Sequence, residues 1–199
     1  MLERESSNSA YDWTPSANIT AYANNGLNQY TSVGGTSQSY DSRGNLTTGS
    51  YGYDIFNRLI SGPSSATLAY DASGRLYQTV GGGVTTRFLY DGAQIVGEYN
   101  SSNVLQRRFI PGPALDEPIA WYEGANTSDR RWLASDERGS VIAVMNSSGA
   151  ATAINTYDEY GQRGGSNSGR FQYTGQPWLP EVSLYHYRAR AYSPALGRF

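Results

Sequence analysis

The sequence predicts an all-β protein: an antiparallel sheet built from hairpins, curled but not closed on itself. Three observations predict it. Tyrosine dominates the aromatics, with 17 Tyr against 5 Phe and 4 Trp, and glycine reaches 23 in 199 residues. A Tyr-Asp turn motif recurs along the chain, and the runs between its copies read as short strands bounded by Gly, Asn, Asp and Ser. No stretch carries a convincing helical pattern; the best candidate is a short turn over 187–192, ended by Pro194. Tyrosine packs its ring while its hydroxyl seeks water or a partner, so a chain this rich in it suits thin sheets with one wet face.

The motif appears as Tyr40-Asp41-Ser42-Arg43-Gly44-Asn45-Leu46, Tyr53-Asp54-Ile55-Phe56-Asn57-Arg58-Leu59 and Tyr70-Asp71-Ala72-Ser73-Gly74-Arg75-Leu76. Looser relatives are Tyr90-Asp91-Gly92-Ala93-Gln94-Ile95 and Tyr157-Asp158-Glu159-Tyr160-Gly161. Tyr40, Tyr53, Tyr70 and Tyr90 are 13, 17 and 20 residues apart, so hairpin length varies while the turn is kept. Tyr ends a strand, Asp caps backbone N–H groups two residues on, Gly or Asn accepts a positive φ, and Leu starts the return strand on the packed face. Strands are expected over 66–70, 75–80 and 84–90, with Gly81-Gly82-Gly83 as a hairpin turn, because a phosphate loop needs a following helix and usually Lys. Beyond them, strands are expected over 104–110, 119–122, 131–134, 141–145 and 150–157.

Charge and composition exclude several functions. The net charge is −2, all 15 basic residues are Arg, and Arg107-Arg108 and Arg130-Arg131 are isolated doublets, so no basic stripe for nucleic acid exists. No apolar run approaches the ~20 residues that span a bilayer, and the acidic opening Met1-Leu2-Glu3-Arg4-Glu5 is no signal peptide. Cysteine is absent, which removes disulfides, thiolate nucleophiles and cysteine-bound zinc.

Catalytic chemistry finds little footing. His186 is the single histidine and alternates with aromatics as a packed strand residue would, which leaves no multi-histidine metal site. The Ser166 region lacks a nucleophile elbow, since Gly165-Ser166-Asn167-Ser168-Gly169 places Asn at its centre. Asp116-Glu117, Asp136-Glu137 and Asp158-Glu159 are adjacent pairs whose members point to opposite faces of a strand. No loop has the alternating acidic spacing of a calcium site, and the sequons at Asn18, Asn45 and Asn126 are expected from composition. No cofactor is expected. The rival to a structural role is a carbohydrate- or cell-surface-binding module in which Trp121, Tyr122, Trp132 and Trp178 form a stacking platform; the plainer alternative is that these aromatics pack the sheet.

The ordered series of motifs resembles a known family. Asn25-Gly26-Leu27-Asn28-Gln29-Tyr30 and the Tyr-Asp copies resemble the YD repeats of Rhs proteins. Gly112-Pro113, Asp116-Glu117-Pro118, Asp136 with Gly139, Tyr157 with Gly161, and Phe171 to Gln176 with Gly175 resemble the Rhs-associated core. So does the close, with Arg188, Arg190, Tyr192, Pro194, Gly197 and Arg198. The resemblance covers the chain from about Ile19 to Phe199. It implies YD-repeat hairpins over 1–102 and a core segment over 103–199, continuous with them in one sheet. It further implies a hollow shell that encloses a C-terminal toxin freed by aspartyl self-cleavage downstream, with 103–199 plugging one end. Asp116 matches a turn position there, with no role in cleavage. Its partners would be the rest of the shell and the toxin on the same polypeptide. Its setting would be a larger secreted or cell-surface bacterial protein, of which this chain is a fragment or a short paralogue. On this resemblance the chain would stop before the cleavage segment and would carry too few repeats to close a cocoon.

Two outcomes are expected from these residues. The purified chain should neither hydrolyse substrates nor cleave itself, so its intact mass after days at neutral pH should equal the calculated mass. With no lysine to guard them, the early strands over 40–99 are expected to be the bare edge of the sheet. Self-association through that edge would appear in light scattering as a mass that climbs with concentration.

Overall fold

A computed structural model describes residues 8–11 and 20–199. The acidic opening over 1–5, the Asn18 sequon and Ile19 lie outside the described residues. A small sheet comes first: β1 (Tyr22–Asn24), β2 (Tyr30–Val33) and β3 (Thr36–Ser37). The body is an eleven-stranded antiparallel sheet. Its strands are β4 (Gly52–Tyr53), β5 (Leu59–Gly62), β6 (Ala66–Tyr70), β7 (Leu76–Gly81), β8 (Val84–Asp91), β9 (Gln94–Tyr99), β10 (Leu105–Pro111), β11 (Pro118–Glu123), β12 (Asp129–Ser135), β13 (Val141–Met145) and β14 (Ala151–Ile154). A second small sheet, β15 (Trp178–Leu179), β16 (Leu184–Tyr187) and β17 (Arg190–Tyr192), ends the chain.

Every strand of the large sheet pairs with its neighbours in sequence, so the sheet is a plain meander that runs through residue 102 by the pairing of β9 with β10. The β7–β8 turn is a two-residue hairpin in which Gly82 and Gly83 take φ of 57° and 77°, while Gly81 faces Val84. The register slips at Gly52/Tyr53, Ala69/Tyr70 and Leu89/Tyr90, so three motif tyrosines sit at bulges. A bulge bends its strand and adds right-handed twist, which curls the sheet without closing it.

Burial alternates along the strands, as in β6, where Ala66 and Leu68 are buried and Thr67 and Ala69 are exposed. The buried face carries Leu59, Leu68, Leu76, Phe88, Ile95, Phe109, Trp121 and Val144, and the terminal sheet adds Leu179, Val182 and Leu184 to the same core. Close approach of the two layers requires glycine. A Cβ on Gly62 would lie 2.6 Å from the Val182 Cγ1.

Two expectations are corrected. Residues 187–192 are not a helical turn but the β16–β17 hairpin, with Tyr185 opposite Tyr192 and Arg188 turning the chain at φ 56°. A left-handed residue cannot continue a right-handed helix. The edge expected over 40–99 narrows to β4 alone, two residues long: β5 to β9 are paired on both sides, and the other edge of the sheet is β14, four residues long. Shortness itself limits what such edges can recruit.

Replacing Gly74 (φ 79°) with Val should cost about 1–3 kcal/mol through backbone strain. Gly62→Val should cost a similar ~1–3 kcal/mol by overpacking against Val182. Urea midpoints measure both, and only Gly62→Val should also raise hydrogen exchange in β15–β17.

Candidate functional site: the corner ladder and the C-terminal lock

The Tyr-Asp motif builds one corner repeatedly. At Asp71, the carboxylate Oδ1 accepts the N–H groups of Ser73 (2.9 Å) and Arg75 (3.0 Å), while the Gly74 N–H donates to the Asp71 carbonyl (2.9 Å). Asp41 and Asp54 do the same, as do Asp136 and Asp158 later in the chain. Asn25, Asn100 and Asn146 present an amide Oδ1 in the same way. In all eight corners the third residue onward is left-handed: Asn28, Gly44, Asn57, Gly74, Asn103, Gly139, Gly149 and Gly161. The Asn100 corner is absent from the motif read in the sequence, although Asx followed three residues later by Gly or Asn is its signal. Asp91 departs from the series. It faces Gln94 at the end of β8, and the chain turns through Gly92 and Ala93 as a two-residue hairpin.

The corners are linked to one another. Arg58 donates its Nε–H to its own Asp54 (2.7 Å), lays its guanidinium over the ring of Tyr70 (4.9 Å), and the Tyr70 hydroxyl donates back to the Leu59 carbonyl (2.9 Å). One repeat later, Arg75 binds Asp71 (2.8 Å) and covers Tyr90 (5.0 Å), whose hydroxyl donates to the Leu76 carbonyl (3.0 Å). Tyr40 reaches the Tyr30 carbonyl (3.0 Å) and Tyr157 that of Val141 (2.8 Å). In each case the acceptor lies five residues past the Asx of an earlier corner. Tyr53 is half-buried and has no such bond here, and burial pushes its hydroxyl and that of Tyr70 up to about 12. The Arg75 N–H, more than the opposing desolvation, holds the Asp71 carboxyl below its ordinary value.

The remaining motif residues fasten the C-terminal segment to the sheet. Glu98 on β9, 1% exposed, is the central anchor and accepts from Arg170 and from Arg107 (3.0 Å). Arg170 also donates to the Trp178 carbonyl (2.6 Å), and Arg107 to Glu123 (2.9 Å). Asp116 and Arg188, both left-handed, form a two-bond ion pair (2.5 and 3.2 Å). Gly175 packs on the Asp116 carbonyl, next to Gly139. The Tyr192 hydroxyl donates to the Tyr160 carbonyl (2.8 Å) and Tyr185 to that of Gly161 (3.1 Å). Arg198, beyond the left-handed Gly197, donates to the Asn28 carbonyl (2.6 Å) and covers the Tyr30 ring (4.0 Å), tying the end of the C-terminal segment to the first corner. Pro118 and Pro194 are buried, and Arg190 is exposed.

The catalytic candidates of the sequence are not brought together among the described residues. His186 is buried in β16 and burial pushes its imidazole down to about 4. Among the described residues no group of three or more His, Asp or Glu is placed to hold a metal ion, and no helix is long and apolar enough to cross a membrane. Trp121 (5% exposed) and Trp178 (9%) pack inside, Trp132 is partly buried with Arg130 across its ring (4.5 Å), and Tyr122 is half-buried, so the four aromatics form no open stacking platform.

The Teneurin YD-shell family model matches residues 8–199, the whole run of corners and the lock together. The chain belongs to this family. Among curated relatives of this YD-shell chain, the tRNA3(Ser)-specific nuclease WapA of Bacillus spizizenii is 30% identical over an alignment of 191 residues that covers 87% of this chain and 8% of that protein. The tRNA nuclease WapA of Bacillus subtilis is 27% identical over 190 residues, with the same two shares. The YD-shell chain thus spans about a twelfth of the relatives it matches. Its fold is similar to that in the crystal structure of TcdB2-TccC3 (TM-score 0.56, 14% identity, 79% of this chain and 9% of that one). The TcdB2-TccC3-TEV structure gives a TM-score of 0.57 at 14% identity, over 89% of this chain and 12% of that one.

Glu98→Gln should cost about 3–5 kcal/mol, because it leaves the Arg170 guanidinium buried without its counter-charge. Tyr70→Phe should cost only about 0.5–1.5 kcal/mol, one ladder hydrogen bond. Chemical denaturation of the two variants tests that order.

Proposed function

We propose that this chain is a non-enzymatic segment of a YD-repeat shell that encloses a C-terminal toxin and helps deliver it, within a larger secreted or cell-surface bacterial protein. The observation that carries this reading is the ladder of identical corners. The Asp54 and Asp71 corners each use their Arg and a carbonyl to position the next Tyr, and the Asn25 and Asp136 corners offer the carbonyl alone, so the unit propagates by repetition, as a wall does. Family membership supports the shell role. The relatives named as tRNA nucleases are far longer than this chain, which fits a division of labour in which the nuclease lies elsewhere in them. The C-terminal lock supports a plug, because the segment from Arg170 onward crosses from β9 to the first corner and covers the sheet's apolar face.

The test places this chain in line with flanking YD repeats and a C-terminal toxin domain and follows protease digestion of the toxin. Protection should be strong and should weaken with Glu98→Gln. A toxin digested as fast as the free domain would remove the shell reading. Turnover of tRNA by the isolated chain would remove the non-enzymatic one.

A further inference from the structure

His186 is the chain's single histidine and shares a cavity wall with Ile95 and Phe109, which places it at the seam between the terminal sheet and the large one. It is 7% exposed, and its backbone N–H is engaged by the Pro177 carbonyl (2.9 Å). Its ring lines a cavity of about 50 Å³ whose other walls include Ile95, Phe109 and Phe171. A cavity of that size admits water but not a hydrated counter-ion.

The charged and titratable groups around this cavity are few. From the β10–β11 connection come Asp116 and Glu117, from β8 comes Tyr90, and from the β16–β17 turn comes Arg188. Ala191 lies opposite on β17 and Pro177 on the preceding segment. Tyr90 is spent on the Leu76 carbonyl, Glu117 accepts the Ala114 N–H (3.0 Å), and both oxygens of Asp116 are taken by Arg188. A proton on His186 would therefore add a positive charge in an apolar seam beside a guanidinium, with both oxygens of Asp116 held by Arg188 and one oxygen of Glu117 held by the Ala114 N–H.

We propose that His186 is an acid-sensitive latch: protonation of its imidazole unseats the terminal sheet, β15 to β17, from the eleven-stranded sheet. The seated state holds the ring neutral, mainly by burial and then by the Arg188 charge, down to about 4 against an ordinary 6.5. The sign follows from linkage. The unseated state binds a proton more readily, so seating is at full strength above pH 6.5 and weakens as pH falls toward 4. The corner carboxylates Asp41, Asp54 and Asp71 are held below 3.8 and keep their bonds through that window. Asp158, pushed up by burial, has the opposite sign and works against opening. The latch does not depend on what the shell encloses.

Hydrogen exchange of the full chain between pH 7.5 and 4.5, corrected for intrinsic rates, tests the latch. Opening of residues 178–192 should rise about 70-fold, while residues 66–99 keep their protection. His186→Gln should make the opening flat with pH, and Arg188→Met, which frees Asp116 to face the imidazole, should make it shallower. The imidazole resonance of the wild-type chain, assignable without ambiguity, should stay neutral to below pH 5 and decides the matter even if a variant fails to fold. Titration near 6.5 in the folded chain, a rise in exchange shared equally by the large sheet, or an undiminished pH dependence in His186→Gln would each overturn the proposal.

Discussion

One carboxylate or amide oxygen accepting two backbone N–H groups is the interaction on which the rest of this structure depends. At a tight reversal those N–H groups point into the turn, where no strand can satisfy them, and leaving them bare would cost more than the turn gains. Asp and Asn solve this locally, and a left-handed Gly or Asn completes the reversal. Once a corner is set, its Arg has a fixed carboxylate to hold it and a fixed ring to cover. The ladder from Arg58 to Tyr70 and from Arg75 to Tyr90 is thus a consequence of corner geometry.

The all-β class and the hairpin order were legible because turn chemistry is local. Asp71 and Gly74 sit within four residues of everything they bond. Long-range features were not legible. Glu98 and Arg170 are 72 residues apart, and no pattern near either one announces the partner. Asn100 escaped because the motif was read with Asp and Arg, whereas the corner needs only an Oδ1 and a residue that tolerates positive φ. The β16–β17 hairpin was not legible because its reversal rests on Arg188, a residue type that rarely turns a chain, held there by Asp116.

The two kinds of contact carry different stability. Ladder bonds are numerous, partly exposed and individually weak, so losing one shifts little. The lock gathers its strength in a few buried groups, above all Glu98, where removal of one partner exposes the cost of the other. Damage to a repeat should be tolerated where damage to the lock is not.

The meander order has a kinetic consequence. Sequence-adjacent pairing lets each hairpin form as its residues emerge, with small loop-closure cost. The contacts that cover the apolar face join positions 131 residues apart, as between Tyr51 and Val182, and cannot form until the last part of the chain has been made. At about 5–20 residues per second, the apolar face would stay uncovered for roughly 7–26 seconds during synthesis. Throughout that interval a nascent shell wall is open to whatever is to be packed against it, and also to aggregation and to chaperones.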